Sequence, residues 1–400
     1  MPRRPLQTNR SAVQVRSAPC RRPGACNTED SGYTAVAGVG HPLCNDRENG
    51  RLYSYESRIK KAFDDIVPVL KEISALQHEK DFEIQAQRIA ESRLGFELPA
   101  EILANAWVDQ LDMRRLFAWC VFQAYRRYTD EFYKLAPLSH GEEGSFDEFI
   151  QSCGFHTVDI SPCADGRLAH VIRYVLRLPH RMIRRKSYAG AMFDIDNSIE
   201  KWVETEMLRF REGRPNTADK PTRYLKMVAY HYSSVDPLHE GCAAHGSDTQ
   251  KAAASGLERL ESFKTAIENS FCCGASIDLM LIGIDTDTDS MRVHVPDSNG
   301  QIHLDRFVDT LDVYKVTQFG KEHEGREFIA NQVRSCSPEV EDGTAKFAAY
   351  LIENNLSQID YVRRNFGEAY PDTGHAERFI GAGVGFEEIQ LRNLMYFAYL

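Results

Sequence analysis

Thr157-Val158-Asp159-Ile160-Ser161-Pro162-Cys163-Ala164-Asp165-Gly166-Arg167-Leu168 opens as a short strand, Thr157–Ser161, and runs into a loop with a thiol, a carboxylate and a guanidinium within five residues. Apolar spacing at Leu168, Val171, Ile172, Val175 and Leu176 predicts a helix after that loop. Further along, Tyr224–Tyr230 reads as a second strand. Ala252–Phe271 reads as a helix with Leu257, Leu260, Phe263 and Ile267 on one face. Ile277–Ile284 is a buried strand, and Met291–Val295 can pair with it across a polar turn. Helices resume from Leu304 to about Phe366. Strands alternating with helices predict an α/β domain over residues 146–386, its sheet covered by helices.

Upstream the period changes. From 53 to 138 the apolar residues Ile59, Phe63, Ile66, Val67 and Leu70, then Leu111, Leu116, Phe117, Trp119 and Phe122, recur at helical spacing. This predicts a helical N-terminal domain, interrupted at Pro68 and with Pro99 opening a helix. The Gly- and Glu-rich stretch 140–145 reads as a linker. Residues 1–52 are sparse in strong apolar side chains and read as a disordered tail. Its first half is basic, since Arg3, Arg4, Arg10, Arg16, Arg21 and Arg22 all precede the first acid, Glu29. Such an arm is either a solvated tail or a docking element for an acidic partner.

Composition bounds the function. The 400 residues are 42% apolar and 26% charged, as in ordinary globular proteins of two or three domains. A formal charge of −10 argues against a general nucleic-acid binder. No apolar run is long enough for a membrane-spanning helix, and no apolar stretch follows Arg3 and Arg4 to make a secretory signal. Ten scattered cysteines in a chain this long suggest free thiols in a reducing setting, available to bind metal.

Cys163 stands at the carboxyl end of a strand, where open sheets bind ligands. A helix N-terminus and an arginine nearby predict a lowered thiol pKa and hence a thiolate. Asp165 and Arg167 can form a charge-assisted pair. The strand Tyr224–Tyr230 leads into His231, and Cys242 follows in Gly241-Cys242-Ala243-Ala244-His245-Gly246. Cys163, His231 and Cys242 form a Cys₂His set that leaves the fourth tetrahedral position to water, as catalytic zinc requires. His239 is a rival ligand, because His239-Glu240-Gly241-Cys242 brings it close to Cys242 in sequence. His245 reads as a supporting or surface residue.

The Cys163-Ala164-Asp165-Gly166-Arg167 element resembles the CxDxR element of β-class carbonic anhydrases. In that class a histidine and a cysteine follow with two residues between them, whereas ten separate His231 from Cys242. This wide spacing, the helical domain in front, and the stretches from Tyr230-His231-Tyr232-Ser233-Ser234 to Cys242-Ala243-Ala244-His245-Gly246 and Asp285-Thr286-Asp287-Thr288-Asp289 resemble the carboxysomal shell carbonic anhydrases. The resemblance favours His231 over His239. It implies reversible hydration of carbon dioxide to bicarbonate by a zinc-bound hydroxide, with Asp165 and Arg167 orienting the attack, supplying carbon dioxide to Rubisco inside a carboxysome. It also implies Zn²⁺ as cofactor, homo-oligomers, and a basic tail that docks on shell or Rubisco. By that comparison residues 387–400, which end on an apolar run, are expected to begin a truncated C-terminal domain.

Other readings stay open from residues alone. A zinc-stabilised scaffold without catalysis needs a fourth protein ligand, which His239 or His245 could supply. A redox enzyme using Cys163 lacks a resolving cysteine at close spacing. Asp285, Asp287 and Asp289 resemble the start of a calcium loop, but Ser290 and Pro296 stand where its glycine and glutamate belong, so a polar hairpin turn is expected. Cys272 and Cys273 read as packing residues.

Overall fold

The computed structural model describes residues 40–106, 108–134, 146–168, 171–178, 183–217, 219–270 and 276–366. Most of the basic tail, the 140–145 linker, Cys272, Cys273 and the expected 387–400 segment lie outside these residues.

The helical region comprises α1 (Asp46–Ala75), α2 (Phe82–Arg93), α3 (Ala100–Asn105) and α4 (Met113–Lys134). It begins earlier than expected, because residues 46–52 are already helical and His41 and Leu43 are buried. The Asn45 side chain starts α1 by accepting from the Glu48 N–H at 3.0 Å. The predicted break at Pro68 does not occur, and α1 runs through it. Ile66, Val69, Leu70 and Ile73 are buried around the proline, and packing of that face outweighs a local cost of about 3 kcal/mol. Pro99 caps α3 as expected. Two residues from beyond this region, Tyr174 and Tyr361, complete its apolar core, so it is seated directly on the sheet domain.

The second region starts with α5 (Phe146–Ser152) and β1 (Thr157–Pro162). The predicted helix after β1 is instead a 3₁₀ turn, Gly166–Leu168, and a single π turn, Val171–Val175. Leu168, Val171, Ile172, Val175 and Leu176 are all buried there, so packing sets the backbone rather than an amphipathic period. Then follow β2 (Arg184–Arg185), α6 (Ile195–Arg211), β3 (Arg223–Tyr232), α7 (Thr249–Ser270), β4 (Ser276–Asp285), β5 (Met291–His294) and β6 (Val308–Asp309). Helices α8 (Thr310–Thr317), α9 (Glu322–Cys336) and α10 (Asp342–Phe366) close the region.

The sheet order is β2-β1-β3-β4-β5-β6. The first four strands are parallel, and β5 and β6 add antiparallel pairs. The fold is therefore α+β with a mixed sheet. Among the described residues no helix is long and apolar enough to cross a membrane.

Register brings the site together. Pro162 pairs with Ala229, and His231 with Ile284, so the carboxyl ends of β1, β3 and β4 finish along one edge. The sheet interior carries one buried charge pair. Lys226 Nζ on β3 donates to Asp159 at 2.8 Å, Ser161 at 2.9 Å and Ser198 at 3.2 Å, which satisfies all three ammonium hydrogens.

Candidate metal centre

Cys163 leaves β1 with its N–H donating to the Ala229 carbonyl at 2.9 Å, and the Ala164 N–H donates to Tyr188 at 2.8 Å. These bonds extend the sheet by one residue and fix the thiol. His231 lies inside β3, one residue before its end, rather than just beyond the strand as the sequence suggested. Its side chain is fully buried. Cys242 precedes the 3₁₀ turn Ala243–His245. The Cys163 and Cys242 sulfurs are 3.8 Å apart, and one ligand atom from each of Cys163, His231 and Cys242 lies within 4.8 Å of the others.

This spacing fits a metal. A disulfide needs about 2.05 Å, and two sulfurs each about 2.3 Å from a tetrahedral zinc stand about 3.8 Å apart. The His231 Nδ1 is buried without a hydrogen-bond partner. Such an atom is costly unless something else satisfies it. The donor set of two thiols and an imidazole suits zinc.

The two thiols are unequal. The hydrogen bond shared with Cys242, then burial, push Cys163 up to about 12. The same bond, aided by the Ala244 and His245 N–H groups, lowers Cys242 to about 7. The expectation of a lowered Cys163 is not met, because the bond to Cys242 and burial both raise it. For His231, burial opposes protonation, but Asp165 and Cys163 outweigh it and raise the imidazole to about 9. A metal would displace that proton.

Asp165 and Arg167 form the expected pair. Arg167 Nε donates to Asp165 Oδ1 at 2.9 Å and Nη2 to Oδ2 at 3.0 Å, while the Arg167 N–H donates to Oδ1 at 2.9 Å. Asp165 Oδ2 also lies 3.3 Å from His231 Nε2. Burial disfavours the charged carboxylate, but hydrogen bonds from His231 and Arg167 prevail and hold Asp165 well below the usual carboxylate range. Both side chains remain 22% exposed, so the pair faces solvent as well as the cysteines.

The rivals are placed elsewhere. His239 is 76% exposed and paired with Asp236 at 2.9 Å. His245 is buried, and its Nε2 donates to the Gly190 carbonyl at 3.0 Å. Gly190 has φ 63°, and a Cβ there would sit 2.7 Å from His245 Nε2. Among the described residues neither histidine offers a fourth ligand, which removes the main support for a structural site. Cys242 supplies the close thiol that sequence spacing hid from the redox reading, but with His231 buried in the same cluster the trio could hold a metal ion.

Sequence reasoning missed three supports. Arg167 Nη1 donates to the Glu240 carbonyl at 2.7 Å and approaches Thr286 Oγ1 at 3.4 Å. Asp287 Oδ2 accepts from Ser233 Oγ at 2.7 Å and from the Val235 N–H at 2.9 Å. The turn after β4 is polar, as expected, yet Asp285, Thr286, Asp287 and Asp289 are buried. Its position at the carboxyl end of a parallel strand was the available signal.

Comparisons with known proteins point to one family. Residues 145–375 match the family described as carboxysome shell carbonic anhydrase, catalytic domain. Residues 41–133 match the N-terminal and 376–400 the C-terminal family of the same name. A protein named carboxysome shell carbonic anhydrase from Prochlorococcus marinus (strain MIT 9313) is 52% identical over 396 residues, covering 96% of this chain and 77% of its own length. One of the same name from Parasynechococcus marenigrum (strain WH8102) is 52% identical over 366 residues, covering 90% of this chain and 63% of its own length. Another, from Halothiobacillus neapolitanus (strain ATCC 23641 / c2), is 42% identical over 372 residues, covering 90% and 72%. With three family matches along its length and relatives this similar, the chain belongs to the carboxysome shell carbonic anhydrases.

Proposed function

We propose that this carbonic anhydrase interconverts carbon dioxide and bicarbonate at a zinc ion held by Cys163, His231 and Cys242, within a carboxysome and in support of Rubisco. The observation that carries the reading is the 3.8 Å sulfur pair beside a buried imidazole, with Asp165 of the Asp165–Arg167 pair 3.3 Å from that imidazole. We take the sheet region as a divergent β-carbonic-anhydrase-type domain. When bound, zinc supplies a Lewis acid that makes hydroxide available near neutral pH.

The residues of the chain do the rest. Two thiolates and a neutral imidazole cancel the metal charge, so orientation has to compensate for a weaker acid. Asp165, kept ionised by Arg167, accepts the hydrogen of the attacking oxygen and aims its lone pair at the carbon of carbon dioxide. Arg167 cannot swing away, because the Glu240 carbonyl holds its far nitrogen. The arginines of the tail, Arg3 to Arg22, would tether the enzyme to an acidic surface of Rubisco or shell through several weak contacts at once.

Metal analysis alongside stopped-flow carbon dioxide hydration tests the reading. About one zinc per chain, activity lost on chelation and restored by zinc, is the expected result. Full activity without metal, or a zinc-loaded and inactive protein, overturns it.

A further inference from the structure

Three buried polar side chains outside the metal centre form a continuous line into it. Arg177 is 3% exposed, and its Nη2 donates to Asn49 Oδ1 of α1 at 2.8 Å and to Gln358 Oε1 of α10 at 2.7 Å. Its Nε donates to the Tyr174 carbonyl at 2.8 Å. The other end of the Gln358 amide, Nε2, donates to Asp289 Oδ2 at 2.7 Å. Gln358 and Asn49 have no exposed surface, and Asp289 has 2%.

The direction of each bond is fixed. Guanidinium only donates and carboxylate only accepts, so the Gln358 amide can stand between them in one orientation. The two residues it bridges, Arg177 with φ 52° and Asp289 with φ 57°, both hold left-handed backbone that non-glycine residues avoid. Asn355 adds Nδ2 bonds to the Asp289 carbonyl at 2.8 Å and the Val175 carbonyl at 3.0 Å.

Asp289 closes the turn after β4, its N–H donating to the Asp285 carbonyl at 2.9 Å. The same turn carries Asp287, which grips Ser233 and Val235 on the segment between His231 and Cys242. It also carries Thr286, whose hydroxyl lies beside Arg167. A shift of Asp289 therefore moves both the segment that presents Glu240 and Cys242 and the neighbour of Arg167.

We propose that Gln358 and Arg177 are positioning residues for the reaction: a buried polar spine from α1 through Arg177, Gln358 and Asp289 sets the 285–289 turn, and through it the orientation of Arg167. This rests on the reading of Asp165 and Arg167 as the orienting pair. The helical region thereby becomes a working part of the catalytic unit, with the seat of α1 felt at the metal centre.

The test uses the full-length zinc enzyme. Gln358→Met removes both bonds without adding charge, and Gln358→Glu sets two carboxylates against each other. Combining Gln358→Glu with Asp289→Asn restores the 358–289 bond with its donor and acceptor exchanged and leaves Arg177 its acceptor. Each single variant should lose about tenfold in kcat per bound zinc, as other outer supports of metal ligands do. KM should stay within about twofold. The exchanged pair should recover most of the lost kcat even if its melting temperature does not. Single variants that melt earlier but keep wild-type kcat per bound zinc overturn the proposal.

Amide exchange at Val235, whose N–H donates to Asp287, gives a readout independent of activity. Its protection should fall in Gln358→Met, and unchanged protection would count against the spine. A wild-type enzyme that failed to hydrate carbon dioxide would defeat the functional reading instead, and Val235 exchange would still decide the coupling.

Discussion

Cys163, Asp165 and Arg167 lie within five consecutive residues after β1, whereas His231 and Cys242 stand on either side of a ten-residue crossing from β3 to a 3₁₀ turn. In the first half the orienting pair is itself a local device, although Cys163 is fixed by Ala229 of β3 and Arg167 is also held by Glu240. The Arg167 N–H and side chain both reach back two residues to Asp165. In the second half the supports come from far away: Asp287 grips Ser233 and Val235, and Gly190 receives His245. A local device leaves a motif in the sequence. A distributed one leaves scattered polar residues whose meaning depends on the fold.

The comparison breaks most visibly at the ligands. Replacing Cys163 or Cys242 by Ser should abolish both zinc and hydration activity, because each half supplies an irreplaceable thiolate. His231→Ala should behave likewise, and His239→Ala should keep zinc, since His239 faces solvent. Metal content of the purified variants checks this. Zinc retained by His231→Ala but lost from His239→Ala would reverse the ligand assignment.

The next largest effect separates holding a metal from using it. Asp165→Asn should keep zinc yet lose activity by about 10²- to 10³-fold, since it removes an acceptor and an orienting charge. Arg167→Ala should match it and add instability, having left a half-buried carboxylate without its partner. Loss of metal from Asp165→Asn would make Asp165 a ligand.

Asp287→Ala probes the distributed half. It strips the acceptor from the buried Ser233 hydroxyl and from the Val235 N–H, which should cost about 2 kcal/mol of stability. Zinc affinity should fall about 10- to 100-fold, because the segment leading to Cys242 loosens. Competition with a chromophoric chelator measures it. Unchanged affinity would mean that the β3 exit holds its course without the turn.

The same contrast explains what the sequence could show. Strand β1 and its CxDxR loop were legible because period-2 patterning and the motif are both local. The cores of β3 and β4 were legible as short apolar runs, and β5 as their neighbour across a polar turn. The break at Pro68 and the helix after Leu168 were misjudged, since packing of α1 and burial on all sides around Val171 decided those backbones. Residues 46–52 read as tail because strong apolar side chains are sparse up to that point, yet Glu48 and Asn49 are buried. The order of strands in the sheet and the role of Asp287 rest on contacts across tens of residues, which no window along the chain contains.

Acid offers the gentlest way to sharpen the comparison, because the second half alone has a buried neutral histidine packed behind its ligand strand. His294 on β5 is 1% exposed, and the Tyr230 hydroxyl lies 3.0 Å from its Nε2, one residue before His231. Its Nδ1 lies 3.4 Å from the His303 carbonyl, so the neutral ring donates there and accepts from Tyr230. Burial, with a smaller push from Arg292, lowers its pKa from 6.5 to about 4. The unfolded chain takes up this proton as pH falls through 6.5, and the folded chain resists until about 4. Stability from this group is therefore intact above 6.5 and declines between 6.5 and 4, by at most about 3 kcal/mol. Urea denaturation of the zinc-free Cys163→Ser variant across that range should show the decline without metal release contributing. Adding His294→Gln, which keeps a donor and an acceptor but cannot titrate, should flatten it. His41, likewise lowered to about 4 and hydrogen-bonded to Thr317, leaves a residual slope of the same sign. An undiminished slope after His294→Gln would assign the acid sensitivity to the other lowered histidines, His41 and His156, and not to the neighbour of the strand that carries His231.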